Sequence, residues 1–304
     1  MSFASDTKKE LAKDFSQNRQ ELFAELYAML LFSKTFSDSK IILKTENEYT
    51  ANRFCDLLTM LFSPIIERRF PNGENRQSKK FVVSLINPDD CKKIFDFYGH
   101  DIRDISLRVN RANLGDDMET RAFVRGAFLS CGSVTDPNRC YHLEFCIPYK
   151  NLCRDLCIIL SEQTELDINV KMLLRKGSYI AYVKNSEQIT DLLTYMGATN
   201  SAMNIMGTKA LKDVRNSVTR TANSEYANLQ KLASASAVQI KAINKLKKSG
   251  KYNKLSDELK EIAEIRVEYP ELSLRDIGEK TNPKLSRSGV NHRLEKIIRL
   301  SKED

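Results

Sequence analysis

Landmarks in this 304-residue chain recur at an offset of 98 to 100 positions: Asp38 with Asp136, Tyr49 with Tyr149, Asp56-Leu57 with Asp155-Leu156, and Gly99 with Gly197. Each coincidence alone is weak, and two unrelated halves could share some of them. Together they favour an internal duplication, which constrains the architecture before any single element is assigned.

The elements between the landmarks follow the same order twice. A short opening helix is expected over Asp6 to Phe15, then a longer one over Arg19 to Ser33, apolar on most sides and therefore largely buried. A strand at Lys40 to Thr45 and a helix at Tyr49 to Phe62 follow. Strands around Ile65 to Phe70 and Lys80 to Ile86 flank the turn Pro71-Asn-Gly73, and Pro88 opens a helix ending near Gly99. The second round has a largely apolar helix at Asp116 to Cys131, the turn Asp136-Pro-Asn138, and a strand at Cys140 to Ile147. Then come a helix at Tyr149 to Leu160, a hairpin of Ile168 to Leu174 with Tyr179 to Lys184 around Arg175-Lys-Gly177, and a helix from Ser186 to Met196. The pattern predicts two α-β-β-α-β-β-α halves in one pseudo-twofold α+β domain.

The C-terminal third reads differently. Thr208 to Ser249 contains neither Gly nor Pro. It would span ~63 Å if wholly helical at 1.5 Å per residue, with Asn223-Ser224 as a place where it could divide. Ser249 to Asn253 reads as a hinge. Ser256 to Tyr269 reads as a helix, with Ser256 as candidate cap and Pro270 as stop. Ser273-Leu-Arg-Asp276 has the form of a capping box opening a short helix. Ile277 should face inward and Gly278 should admit a neighbouring helix. Thr281-Asn-Pro-Lys284 is a turn. Ser286 then caps a final helix whose Val290, Leu294, Ile297 and Ile298 share one side, with Ser288, His292, Lys296 and Arg299 opposite. Helix, short helix, turn, basic helix is the order of a helix-turn-helix. An amphipathic C-terminal helix with a solvated basic face has the same pattern.

Charge separates the two regions. Thr208 to Asp304 holds 21 Lys+Arg and 13 Asp+Glu, a net of +8, and the remaining 27 basic and 27 acidic residues cancel. A polyanion partner for the C-terminal third is the natural inference. Seven cysteines without a CxxC argue against a disulfide framework. Cys153 and Cys157 lie one helical turn apart with His142 the nearest histidine; buried reduced thiols account for them more simply than a metal site. Nothing resembles a signal peptide and no apolar run approaches the ~18 residues of a membrane span. A cytoplasmic, nucleoid-associated monomer without membrane contact is the expectation.

Arg121-Ala-Phe-Val-Arg-Gly-Ala-Phe-Leu-Ser-Cys-Gly-Ser133, with Tyr141-His-Leu-Glu144 after it, resembles the second LAGLIDADG-like helix and strand of the WhiA proteins. These are bacterial regulators whose N-terminal half has the fold of a LAGLIDADG homing endonuclease. The likeness extends through Val214 to Leu229, departing at Thr219 and Ser224, and through Leu272 to Leu294, where Ser286-Arg-Ser-Gly-Val-Asn-His-Arg-Leu294 is most distinctive. It implies an α+β fold: a duplicated LAGLIDADG-like N-terminal domain followed by an all-α helix-turn-helix domain. The expected divisions are 1–18 as an extension, 19–207 as the duplicated domain with halves near 19–99 and 116–197, 208–250 as a basic helical linker, and 251–304 as the helix-turn-helix.

A LAGLIDADG nuclease needs an acid at the base of each interface helix, where the pair holds divalent metal beside the scissile phosphates. Mapping the motif puts Cys131 at one of these positions and Ser33 at the other. Neither is a carboxylate, and a hard cation prefers charged oxygens. Asp116, Asp117 and Glu119 lie at the wrong end of their helix. No nuclease activity, catalytic residue, metal or cofactor is expected. His100 and His142 read as structural or exposed.

The reading is therefore a non-enzymatic, sequence-specific binder of double-stranded DNA. Arg287, Ser288, Asn291 and His292 would read bases; Arg293, Lys296 and Arg299 would hold phosphates, with Ser286 starting the helix. Lys209, Lys212, Arg215 and Arg220 are further phosphate candidates, although a solvated face explains them nearly as well. The resemblance implies transcription control, sporulation septation, or cell division and chromosome segregation. The rivals are a homing endonuclease and a scaffold for a sigma factor, RNA polymerase or division proteins.

Overall fold

The structure, a computed structural model, describes residues 2–13, 18–70, 80–103, 106–163 and 166–302. Contacts divide the chain into two compact units, Met1–Lys212 and Asp213–Asp304.

The first unit opens with α1 (Phe3–Leu11) and then runs through the predicted order twice. The first half is α2 (Arg19–Leu31), β1 (Thr35–Phe36), β2 (Ile41–Thr45), α3 (Glu48–Leu61), β3 (Ile66–Arg69), β4 (Phe81–Leu85) and α4 (Pro88–Phe97). The second is α5 (Asp117–Cys131), β5 (Gly132–Val134), β6 (Leu143–Ile147), α6 (Lys150–Glu162), β7 (Lys171–Arg175), β8 (Ser178–Val183) and α7 (Ser186–Met196). The two sheets have matching strand orders, β1-β2-β4-β3 and β5-β6-β8-β7, and every pairing is antiparallel. Leu43 stands opposite Val83 in one and Leu143 opposite Val183 in the other, so register as well as order repeats.

Local chemistry accounts for the boundaries. Asn47, Asn87, Asp116 and Asn185 cap α3, α4, α5 and α7 through side-chain oxygens that accept backbone N–H groups, each such cap being worth about 1 kcal/mol. The matched glycines Gly99 and Gly197 follow α4 and α7 with φ of +71° and +99°, a conformation that ends a helix at little cost without a Cβ. Lys176 and Gly177, both at positive φ, make the two-residue turn between β7 and β8.

Some boundaries differ from expectation. The sequence reading assigned no residues to β1 and β5, which at two and three residues are too short to show an alternating pattern. β6 starts at Leu143 rather than Cys140, and β7 at Lys171 rather than Ile168. α1 begins at Phe3 rather than Asp6, because Ser2 supplies its cap. Phe15 and the turn Pro71 to Gly73 lie outside the described residues.

α2 and α5 form the centre. Leu26, Tyr27, Ala28, Met29 and Leu30 are fully buried, as are Phe123, Val124, Ala127, Phe128 and Leu129. Burying side chains of this size contributes about 1.5–3 kcal/mol each. Gly126 sets the closeness of the approach: a Cβ there would stand 2.3 Å from the Glu25 carbonyl oxygen and 3.0 Å from the Ala28 Cβ. Buried Glu25 accepts Arg53 Nε and Nη2 at 2.7 Å each, and Arg125 Nε and Nη2 at 3.1 and 3.0 Å. His100 is a core residue, within 3.1 Å of the Tyr27 hydroxyl.

α8 (Thr199–Lys248) follows α7 after Gly197 and Ala198. It does not divide at Asn223-Ser224; neither residue breaks a helix that has no Pro and no Gly after Gly207. Its first turn is held by α1: Glu10 accepts the N–H groups of Asn200 at 2.7 Å and Ser201 at 3.1 Å, and the Ser201 hydroxyl at 2.8 Å.

Candidate nucleic-acid interface

The second unit packs α9 (Asp257–Glu268), α10 (Leu274–Lys280) and α11 (Arg287–Leu300) with the last turns of α8. Its core is small: Ile243, Leu246, Leu259, Ile262, Ala263, Ile277, Val290, Leu294 and Ile297 carry most of it. Ser256 occupies the N-cap position of α9, but its side chain makes no capping bond. The Arg266 guanidinium, 1% exposed, donates through Nη1 to the Leu272 carbonyl at 2.7 Å and the Pro270 carbonyl at 3.3 Å. That bond pins the chain where Pro270 ends α9, and burial lowers the arginine's pKa.

The capping box at the start of α10 is complete. The Asp276 N–H bonds Ser273 Oγ at 3.3 Å and the Ser273 N–H returns to Asp276 Oδ2 at 3.3 Å. Gly278 is where the chain from the turn crosses α10. A Cβ there would fall 2.2 Å from the Leu285 carbonyl oxygen and 3.2 Å from Val290 Cγ2. The Leu285 N–H and the Thr281 hydroxyl both donate to the Gly278 carbonyl, at 2.9 Å each. The turn is thereby closed onto α10, and α11 leaves it at a fixed angle.

α11 divides its residues as the spacing predicts. Val290, Leu294 and Ile297 are buried, while Ser286, Arg287, Ser288, His292, Lys296 and Arg299 are exposed. Ser286 Oγ accepts the Gly289 N–H at 3.2 Å and lies 3.1 Å from Ser288 Oγ. Ile298 is half-buried rather than buried.

Two more of the candidate side chains have partners in the protein. Half-buried Asn291 donates through Nδ2 to Glu295 Oε1 at 2.9 Å. Arg293 Nη2 donates to Glu258 Oε2 of α9 at 2.9 Å, and its Nη1 stands 3.5 Å from the Gly289 carbonyl. Arg293 is thus turned toward α9, an orientation that the charge pattern of one helix did not reveal. Glu295 was missed altogether: it is exposed one helical turn from Asn291, on the side that carries Ser288, His292 and Arg299. Exposed Lys284, just before the helix, and Arg275, whose side chain is 81% exposed, are further cations not singled out from sequence.

On α8 the four basic candidates separate. Lys209 donates to Glu187 Oε1 at 2.7 Å; Lys212 donates to the Pro137 carbonyl at 2.6 Å with its ammonium 4.9 Å from the Tyr141 ring centroid. Both are engaged with the α+β unit. Arg215 and Arg220 are exposed.

The nuclease-like positions lie in the first unit. The Ser33 hydroxyl donates to the Thr35 carbonyl at 3.0 Å, and the Cys131 thiol to the Ala127 carbonyl at 3.3 Å. Burial pushes the Cys131 thiol up to about 12. A neutral thiol and a hydroxyl, both spent on backbone carbonyls, do not fit a hard divalent cation. Asp116 caps the far end of α5, and the Asp117 carboxylate is taken by Arg121 at 2.6 Å and the Tyr195 hydroxyl at 3.0 Å.

A duplicated α+β unit built on two close-packed helices, followed by a helical unit with an exposed polar face on its last helix, defines a protein with a LAGLIDADG-like domain and a C-terminal helix-turn-helix domain. The WhiA LAGLIDADG-like domain family matches residues 120–215 and the WhiA C-terminal HTH domain family matches residues 218–301. A "Probable cell division protein WhiA" of Thermoanaerobacter pseudethanolicus is 36% identical over 317 aligned positions, covering 100% of this chain and 98% of that protein. The protein of the same name from Alkaliphilus metalliredigens is 33% identical over 314 positions, covering 99% and 98%. The chain belongs to the WhiA family. Among solved structures, full-length DUF199/WhiA from Thermatoga maritima has the same fold, with a TM-score of 0.61 at 23% identity over 99% of this chain and 98% of that one. The N-terminal LAGLIDADG domain of DUF199/WhiA aligns with a TM-score of 0.51 at 18% identity, covering 64% of this chain and 90% of that one.

Proposed function

We propose that this chain is a non-enzymatic, sequence-specific DNA-binding regulator that grips duplex DNA with α11. The observation that carries this is the division of that helix. Its apolar residues are consumed by the core, and a capped N-terminal turn presents Arg287, Ser288 and His292 to solvent with Lys296 and Arg299 further along. Exposed polar groups at the start of a recognition helix are placed to meet base edges, and cations along its length to meet phosphates. In this reading Arg287, Ser288, Asn291 and His292 select sequence, and Lys296 and Arg299 set affinity, assisted by Arg215 and Arg220. Arg293 serves first as a strut between α11 and α9. The net charge of +8 beyond Thr208 supplies the long-range attraction.

The cellular role follows the family: control of transcription tied to cell division and chromosome segregation, in the cytoplasm at the nucleoid. A role in sporulation, and contacts with a sigma factor, RNA polymerase or division proteins, belong to the same proposal. The test is genome-wide DNA crosslinking with intact protein and with a variant lacking residues 273–302. Discrete occupied sites that vanish in the variant are expected. Occupancy unchanged by the deletion would assign DNA recognition elsewhere in the chain. The plain measurement beside it is electrophoretic retardation of genomic fragments at low ionic strength.

A further inference from the structure

α1 packs against α3, α5 and β5, at the end of α5 that carries Cys131. Its Lys8 ammonium donates to the Leu129 carbonyl at 2.9 Å and lies 5.9 Å from the Phe128 ring centroid. The Thr50 hydroxyl reaches the same carbonyl at 3.4 Å. Asn47 Nδ2 donates to Ser5 Oγ at 3.0 Å, fastening α1 one turn before the lysine. Thr7 and Leu11 on either side of Lys8 are fully buried. Glu46 is the charged group that acts on the ammonium, and Cys131 keeps its proton beside it.

A positive charge in this place has a physical reason. The last carbonyls of a helix have no intrahelical donor, and the C-terminal end of the helix dipole is negative. A half-buried cation at the end of α5 satisfies both. Such an environment would otherwise suit a metal ion, provided an acid stood beside it. Here Cys131 stands there instead.

We propose that α1 is a plug in the decayed centre: the Lys8 ammonium takes the place of a divalent cation at the C-terminal end of α5, so that an acid restored at position 131 would pair with lysine rather than hold a metal. The loss of cation binding would then have two parts, the missing acids and the lysine that occupies their counter-charge. Restoring the acids alone would not reverse it.

The test uses the full chain and Mn2+ alone, followed by titration calorimetry. Ser33→Asp/Cys131→Asp is compared with the same pair carrying Lys8→Met, each with its fold verified by circular dichroism. Mn2+ should bind the triple variant at least tenfold more tightly than the double variant. Equal affinity in the two, or no binding in either, overturns the proposal. If the triple variant does not fold, amine acylation of the unaltered protein decides. Lys9 and Lys13 should be modified at least tenfold faster than Lys8, and modification of all three at the same rate excludes a lysine held in the plug.

Discussion

Glu25 and Arg125, 100 residues apart in the chain, meet in the interior where α2 crosses α5, with Arg125 Nη2 3.0 Å from Glu25 Oε2. The same carboxylate takes a two-point bond from Arg53. One buried carboxylate therefore accepts from two buried guanidinium groups, and the three belong to α2, α3 and α5. Arg125 of the second half is thereby paired with a carboxylate of the first.

The balance makes the variants unequal. Glu25→Gln removes the carboxylate that both guanidinium groups share and should cost about 3–5 kcal/mol, the scale for breaking a buried pair from one side. Arg125→Met leaves a one-to-one pair with Arg53 and should cost clearly less. Urea unfolding of both variants measures the difference; equal losses would show that Arg53 alone does not satisfy the carboxylate.

Gly278→Ala should damage the second unit without touching any polar candidate. The added Cβ would meet the Leu285 carbonyl oxygen, a backbone atom that cannot rotate away. Strain of this kind costs about 1–3 kcal/mol. Thermal unfolding of the variant should show a lowered transition for Asp213–Asp304, and cognate DNA affinity should fall with it. A melting curve that overlays the parent's would mean that α11 shifts freely.

The two kinds of contact on α11 should separate by salt dependence. Arg299→Ala should weaken binding to cognate and scrambled duplexes alike and reduce the slope of log K against log salt by about one. Asn291→Ala should leave that slope in place and reduce the preference for the cognate site by about 1–3 kcal/mol. Fluorescence anisotropy at several salt concentrations reads both; a slope change in the asparagine variant instead would reverse the assignments.

Glu295 provides an independent check, because it holds the Asn291 amide and adds a negative charge beside Arg299's face. Glu295→Gln keeps an acceptor for the amide and removes the charge. Affinity for every duplex should rise, by about 0.3–1 kcal/mol for one exposed charge, with the cognate preference retained. Loss of that preference would indicate that the carboxylate itself contacts a base.

Lys8 ties stability to pH. Burial holds its ammonium down at about 8, against 10.5 for an ordinary lysine. Below pH 8 it is protonated both folded and unfolded, and the full cost of burying the charge is present. As pH rises from about 8 toward 10.5 the unfolded chain holds more protons than the folded one, so this cost is relieved. Between pH 7 and pH 9 the protein should gain roughly 1 kcal/mol relative to Lys8→Met. Above pH 9 Cys131, which keeps its proton to about 12 when folded, acts in the opposite direction. A stability difference between the two proteins that stays flat from pH 7 to 9 would count against a charged, half-buried lysine.

Much of this was legible in the sequence, for reasons that particular residues make plain. Gly99 and Gly197 marked helix ends because positive φ selects glycine, and Ser273 with Asp276 marked a helix start because two short polar side chains at that spacing satisfy each other's backbone. The faces of α11 followed from periodicity alone. Long-range contacts left no such mark. Nothing local in Lys212 announces Pro137, nothing in Arg293 announces Glu258, and Lys8 reads as one cation among several until α5 is placed beside it. Glu295 escaped notice because a search for cations passes over the acid among them.

The carboxylate of Glu10 completes a helix that starts 189 positions later, at Thr199. The beginning and the end of the α+β unit are thus neighbours, closed into a ring by a side chain rather than a covalent bond. During synthesis the opening turn must wait for nearly the whole unit to emerge before that ring can close. Peptidase trimming of the first ten residues would act at the root of α8, far along the chain from the cut.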